Sequence, residues 1–460
     1  MKGQITQIGA LLVGSAALLF AGGINALILP LRGTIEGFSE LSLGLLGTGW
    51  AVGYVAGCLQ VPRLVARVGH IRAFSSMSAL AAISILASLL LLHAPAWILL
   101  RALAGFCFAG AAMIVESWLN ERTAPHLRGR VFGIYTMVNL AATTAGQMLL
   151  TLGDPAGYVF FVMAAIFYCV AILPTSMTAT IQPQPMTTAS LDLRTLWRNS
   201  PLAVCAVMLV GVSNSSFGTL GAVFGAEIGL ETGTIALFLS IAVIAGAALQ
   251  VPVGMLSDQV DRRFVLLGLA GVAALVDLVF VLVAPTNPMQ VLLLASVFGA
   301  AVYAMYPVIV AHANDHAPDN YYLRTSGGLL MLFGVGSIVG PLMAGGLMQT
   351  VGPRGLFMTS LVAHVLLIAY GVFRLGSRAA PATVDKGNFH AAPLAAATTP
   401  QTLVLNPSAD EEQIDDELRD AEDALRNAAA EEGQEGDVEE GQEGDVEAPE
   451  DGEKKPDPEG

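Results

Sequence analysis

Apolar runs of bilayer length recur twelve times along this chain, with boundaries near 8–31, 42–62, 73–93, 96–117, 131–151, 157–175, 200–222, 232–253, 264–284, 289–312, 324–349 and 355–375. A helix rising 1.5 Å per residue needs about 20 residues to cross the hydrocarbon layer, and these runs have that length. Backbone in lipid must satisfy its own hydrogen bonds, which restricts such runs to helices. A composition of 54% hydrophobic and 13% charged residues, with mean hydropathy +0.64, agrees. The expected class is an all-α polytopic membrane protein with twelve transmembrane helices. The first run is expected to be a retained span rather than a cleaved leader. Cys58, Cys107, Cys169 and Cys205 lie inside the runs without metal-ligand spacing and read as small packing residues.

The runs are duplicated. Leu249-Gln250-Val251-Pro252 leads into Gly254, Asp258, Arg262 and Arg263, and Phe264 opens the next run. Earlier, Leu59-Gln60-Val61-Pro62 leads into Arg67, Gly69 and Arg72 before Phe74. Gln60 and Gln250 are 190 positions apart, as are Phe74 and Phe264. Both stretches read as a short hairpin that starts at the proline. Asn120-Glu121, Arg130 and Gly146 match Asn314-Asp315, Arg324 and Gly340 at an offset of 194. Two six-helix bundles related by a pseudo-two-fold axis are expected, at 1–175 and 200–376, joined by a polar linker at 176–199.

Charge divides the chain again. Residues 1–380 hold 17 Lys+Arg and 13 Asp+Glu, whereas 381–460 hold 5 and 24. Connections after even-numbered runs, with the two ends of the membrane body, carry fourteen cations, against Arg32 and Arg354 on the other side. By the positive-inside rule that basic side is cytoplasmic, in a cell or plasma membrane. Residues 377–460 are expected to form an acidic disordered tail, since they lack the apolar residues to fold. Within it, E-G-Q-E-G-D-V-E occurs twice, at 432–447, and Asp410–Glu432 has apolar residues at helical spacing.

The hairpin residues carry a family resemblance. Gly254-Met255-Leu256-Ser257-Asp258 through Arg262-Arg263, Arg101-Ala102-Leu103-Ala104-Gly105, and Glu121-(x6)-Arg128-Gly129 resemble loop and helix motifs of the major facilitator superfamily of secondary transporters, over residues 5–376. Glu116-Ser117-Trp118-Leu119-Asn120 is similar to its uncharacterised bacterial YcaD-type branch. Asp261 replaces a motif glycine, and Pro62 and Ala66 replace the glycine and aspartate of the first-half copy. The resemblance implies two six-helix bundles rocking about a central site, and no enzymatic activity. It also implies that spans 1, 4, 7 and 10 line a cavity, which singles out Asn25, Arg101, Ser213, Asn214, Tyr303 and Tyr306 as substrate or coupling candidates. Asn139 in the fifth run is counted with them.

Charges inside spans are costly and need protein or water around them. Arg101 is the leading candidate for substrate or proton coupling. Glu116 and Asp277 are candidate proton-handling groups, although Asp277 also reads as paired with a neighbouring helix. Glu116, fifteen residues beyond Arg101, lies about 22 Å along the same helix, too far to pair with it. A gate at the cytoplasmic end is expected from Arg67, Glu121, Arg128, Arg130, Asp258, Arg262, Arg263, Asp315 and Arg324, with Asp258 near Arg128–Gly133 and Arg67 near Asp315. No metal-ligand cluster, phosphate loop or nucleophile–base pair is visible, so no cofactor is expected. The expected function is secondary transport of a small solute, with a proton as coupling ion. The alternative is a transporter-fold receptor or scaffold whose acidic tail recruits a cytosolic partner. Membrane lipid surrounds either; nucleic acid is not an expected partner, and a monomer is expected.

Overall fold

The computed structural model describes residues 2–123, 127–177, 192–318, 321–376 and 398–405, with side chains from residue 9 onward. No strand occurs among the described residues. The first half holds α1 (Lys2–Ile35), α2 (Glu40–Val68), α3 (His70–Leu90), α4 (Ala94–Arg122), α5 (Arg128–Leu149) and α6 (Val159–Ser176). A short α7 (Leu193–Asn199) precedes the second half: α8 (Pro201–Glu227), α9 (Thr232–Gln259), α10 (Arg262–Leu282), α11 (Pro288–Asn314), α12 (Tyr322–Val351) and α13 (Arg354–Leu375). A last helix, α14, covers Pro400–Val404.

Eleven of these helices are long and apolar enough to cross a membrane. The remaining long helix is α5, 22 residues, whose composition includes Thr136, Asn139, Thr143, Thr144 and Gln147. Those last three line an internal cavity, so the polarity of α5 faces protein rather than lipid. The packing repeats between halves. In the first, α1 packs on α5 and α6, α2 on α4, and α3 on α4 and α6. In the second, α8 packs on α12 and α13, α9 on α11, and α10 on α11 and α13. This is the expected pair of six-helix bundles with pseudo-two-fold symmetry.

Small residues set these seams, since lipid supplies no hydrophobic drive between helices and close backbone approach replaces it. A Cβ added at Gly105 of α4 would strike the backbone of Trp50 on α2. Gly299 of α11, 194 positions later, meets the backbone of Ala242 on α9 in the same way.

Helices run past the prolines that the sequence marks as boundaries. Pro62 lies inside α2 and Pro252 inside α9. The expected hairpin from Pro252 is therefore two further helical turns, with only Val260 and Asp261 connecting α9 to α10. Proline removes one N–H bond but leaves the helix intact where neighbouring helices hold it. Val61, Pro62 and Val65 are buried in just that setting.

Within the expected tail, Thr398, Thr399, Gln401, Thr402, Leu403 and Leu405 are buried, so 398–405 packs against the membrane body. Composition alone missed it because its partners are supplied by α2, α4 and α12. The two octapeptide copies, the 410–432 pattern and most of the interdomain linker (178–191) lie outside the described residues.

Candidate functional site

The two halves enclose a cavity of about 660 Å³. That is an ordinary size for an organic ligand site. Its first-half wall comes from α1, α2, α4, α5 and α6, and its second-half wall from α8, α9, α11 and α12. At one end the halves close on each other. Thr48 Oγ1 on α2 donates to the carbonyl of Ile338 on α12 at 2.9 Å, and Ser240 Oγ on α9 donates to Gln147 Oε1 on α5 at 3.1 Å. Gly44 of α2 lies so near the Pro341 carbonyl of α12 that no side chain would fit between them. The lining extends the other way to Pro62, Arg63 and Ala66, at the arginine-rich end.

Of the cavity candidates, Asn25, Arg101, Asn214 and Tyr303 line this space. Asn25 Nδ2 donates to Tyr168 Oη at 3.4 Å, while Asn25 Oδ1, Arg101 Nε and Asn214 Oδ1 are buried with no protein partner. Burying a polar group without a partner costs about 1–3 kcal/mol by protein mutational data, so three such atoms around one cavity are prepared for ligand or water. Aromatic rings form the remaining face: Trp50 stands 5.0 Å from Tyr54 and 6.1 Å from Phe108, centroid to centroid.

The other candidates lie elsewhere. Asn139 Oδ1 accepts from Ser15 Oγ at 3.1 Å, tying α5 to α1. Ser213 Oγ is 2.7 Å from Ser360 Oγ, between α8 and α13. Tyr306 is buried against Phe333, with centroids 5.5 Å apart. None of these three is among the lining residues. The sequence reading missed Thr143, Thr144 and Gln147 of α5 and Trp50 and Tyr54 of α2. The polar spacing in α5 was the available signal for the first group.

Glu116 is 1% exposed and accepts from three hydroxyls. Tyr135 Oη lies 3.0 Å and Thr402 Oγ1 2.7 Å from Oε1, and Thr399 Oγ1 donates to Oε2. Asp277 Oδ2 meets His364 Nδ1 at 2.7 Å, joining α10 to α13 with both side chains fully buried. No cavity-lining residue belongs to either of those helices. Among the described residues no group of three or more His, Cys, Asp and Glu converges as a metal site would.

At the arginine-rich end, Arg262 is the hub. Its side chain is 1% exposed, with Nη1 3.1 Å from Asp258 Oδ1 and Nε 2.7 Å from Asp315 Oδ2. Arg263 Nη2 pairs with Asp261 Oδ2 at 2.7 Å. Asp258 and Asp315 thus have a cation from their own half, where the sequence reading set them against Arg128–Gly133 and Arg67. Arg67, Glu121 and Arg130 are exposed on the first half, and Arg128 is half-buried. Arg324 lies over the Tyr321 ring, 4.9 Å from its centroid.

Comparisons with known proteins agree with this architecture. The chain is 26% identical over 363 residues to the uncharacterised MFS-type transporter YcaD of Salmonella heidelberg (strain SL476), covering 78% of this chain and 93% of that one. The crystal structure of nucleoside transporter NupG superposes with TM-score 0.67 at 15% identity, covering 80% and 98%. A bacterial homologue of the human lysosomal transporter Spinster, in an inward-facing and occupied conformation, gives 0.63 at 16%, covering 82% and 98%. The family model described as Major Facilitator Superfamily matches twice, at 11–247 and 202–408. With two six-helix bundles around a shared cavity and matches over most of its length, this multi-pass membrane chain belongs to the major facilitator superfamily and is an MFS transporter of the YcaD-like branch.

Proposed function

We propose that the chain moves a small organic solute by alternating access, driven by a proton gradient. The observation that supports this most is the cavity, built from both halves and lined by Asn25, Arg101 and Asn214 with unmet polar atoms. Asn25 and Asn214 sit on the pseudo-equivalent helices α1 and α8 and line the space between the two repeats, where carriers of this kind bind solute. Arg101 and the rings of Trp50, Tyr54 and Phe108, lining one cavity, favour a solute with a planar apolar part and an anionic group. Solved relatives include a nucleoside transporter and a D-xylose–proton symporter, so ring-bearing polar solutes belong in the same screen.

The arginine-rich end is taken as cytoplasmic, with both termini on that side of the cell membrane. Closure of that end would bring Arg67, Arg128 and Arg130 toward Asp258 and Asp315, with Glu121 steadying the arginines. Glu116 is the proposed proton-handling group, because it lies in the basic-end half of α4. The test is a ligand-stabilisation screen of purified full-length protein, since binding to the native state raises the melting temperature. Hits are then carried to flux in proteoliposomes with an imposed pH gradient. Stabilising solutes that show no concentrative flux would overturn the transport reading, and flux indifferent to the pH gradient would overturn the coupling.

A further inference from the structure

Residues 398–405 are seated where their composition alone would not put them. Thr399 caps the short helix α14 reciprocally: its hydroxyl accepts from the amides of Gln401 and Thr402, while its own amide donates to Thr402 Oγ1 at 2.8 Å. That capping box turns both threonine hydroxyls the same way, and both donate to Glu116 on α4. Tyr54 Oη on α2 donates to the Thr398 carbonyl at 2.9 Å. Leu405 joins the buried apolar core, and Pro400 forms part of the cavity wall. The segment packs on α4 of one half and α12 of the other.

We propose that the arginine-rich mouth carries a docking site for residues 398–405 of the chain itself, and that the docked segment inhibits transport. Glu116 is the anchor of the site: without the segment it would keep only Tyr135 among its three hydroxyl donors. A wedge between α4 and α12 stops the halves from closing at that end, and it covers the route to the cavity. The inhibitory part of this inference rests on the transport reading above, whereas the docking part does not.

Cys58 makes the docking measurable, since it lines the cavity one turn beyond Tyr54. The test uses the full chain with Cys107, Cys169 and Cys205 changed to Ala and a membrane-impermeant maleimide as probe. Two variants undock the segment independently: T399A/T402A removes the Glu116 bonds, and L403E/L405E removes the apolar seat. Loss of even one hydrogen bond to a carboxylate shifts the docking equilibrium about tenfold, so Cys58 should label at least about tenfold faster in both. Hydrogen exchange across 398–405 should be slow in the parent and fast in both variants. Unchanged Cys58 labelling, or fast exchange in the parent, overturns the docking site. Flux of a solute found by the screen should rise in both variants, and equal or lower flux overturns inhibition. A Cys58 response with no flux of any solute in any variant supports the docking site and counts against the transport reading.

Discussion

Asp277 and His364 illustrate what a single buried pair asks of a membrane helix. Both side chains are shielded completely, and Asp277 Oδ2 sits 2.7 Å from His364 Nδ1. Removing one partner strands the other, which costs about 3–5 kcal/mol, whereas replacing both with apolar residues is close to neutral. Asp277→Ala should therefore lower the melting temperature sharply, and the double change Asp277→Leu with His364→Leu should recover most of it. A stable single variant would show that the pair contributes little. Arg101 behaves differently, because its Nε has no protein partner to lose. Arg101→Ala should leave the unfolding free energy within about 1 kcal/mol of the parent while reducing flux at least about tenfold. Equal losses of folding and flux would mark Arg101 as a packing residue. Asn25, Arg101, Asn214 and Tyr303 were expected at a cavity because the family resemblance assigns spans 1, 4, 7 and 10 to its wall, and all four are lining residues. Tyr306 and Ser213 were not distinguishable from them, since one helical step decides which neighbour a side chain faces. Trp50 and Tyr54 carried no signal, aromatic rings being equally at home against lipid.

At the scale of elements, seams and caps do the positioning. The backbone of Ala242 lies where a Cβ on Gly299 would be, so Gly299→Ala must push helices α9 and α11 apart. Overpacking of this kind costs about 1–3 kcal/mol. Gly268→Ala is the control: no atom lies within 4 Å of its added Cβ, so its melting temperature should hold or rise slightly. Equal effects at the two sites would remove the argument for close seams. The start of α10 depends on Asp261, whose carboxylate accepts from the Arg263 amide at 3.0 Å. Burial pushes that carboxyl up, but the hydrogen bonds and charge of Arg263 outweigh it and hold it below its ordinary value of 3.8. A depressed folded value contributes stability that is complete above the ordinary value and lost as pH falls through the lower folded one. Asp261→Ala should thus cost about 0.5–2 kcal/mol at neutral pH. The melting-temperature gap to the parent should stay constant down to about pH 4 and narrow only in stronger acid. A gap already closing at pH 6 would contradict this. The number and order of the twelve long helices were readable from the apolar runs, whereas α7 and α14 were not. Helix ends were less so, because α2 and α9 continue beyond the hydrocarbon-length segment and through their prolines.

For the whole molecule, the question is which contacts differ between conformers. The halves meet through Thr48–Ile338 and Ser240–Gln147 at one end, while the charged clusters of the second half gather on Arg262 at the other. A change of about 1.4 kcal/mol moves a two-state ratio tenfold, so even one weakened charge pair is enough to bias the carrier. Asp258→Asn should shift spin-label distances toward the conformer open at the arginine-rich end, with topology unchanged. Identical distance distributions in parent and variant would exclude Asp258 from gating. The segment at 398–405 adds a feature that neither half contains. It shares its backbone with α13, separated only by residues 376–397. Its docking is therefore unimolecular, and a tethered ligand acts at an effective concentration on the order of millimolar. Diluting the protein, or changing how densely a membrane is populated, leaves its occupancy untouched. A free peptide copying 398–405 would have to exceed roughly that millimolar level to displace it, so release belongs to whatever weakens the grip of Thr399 and Thr402 on Glu116.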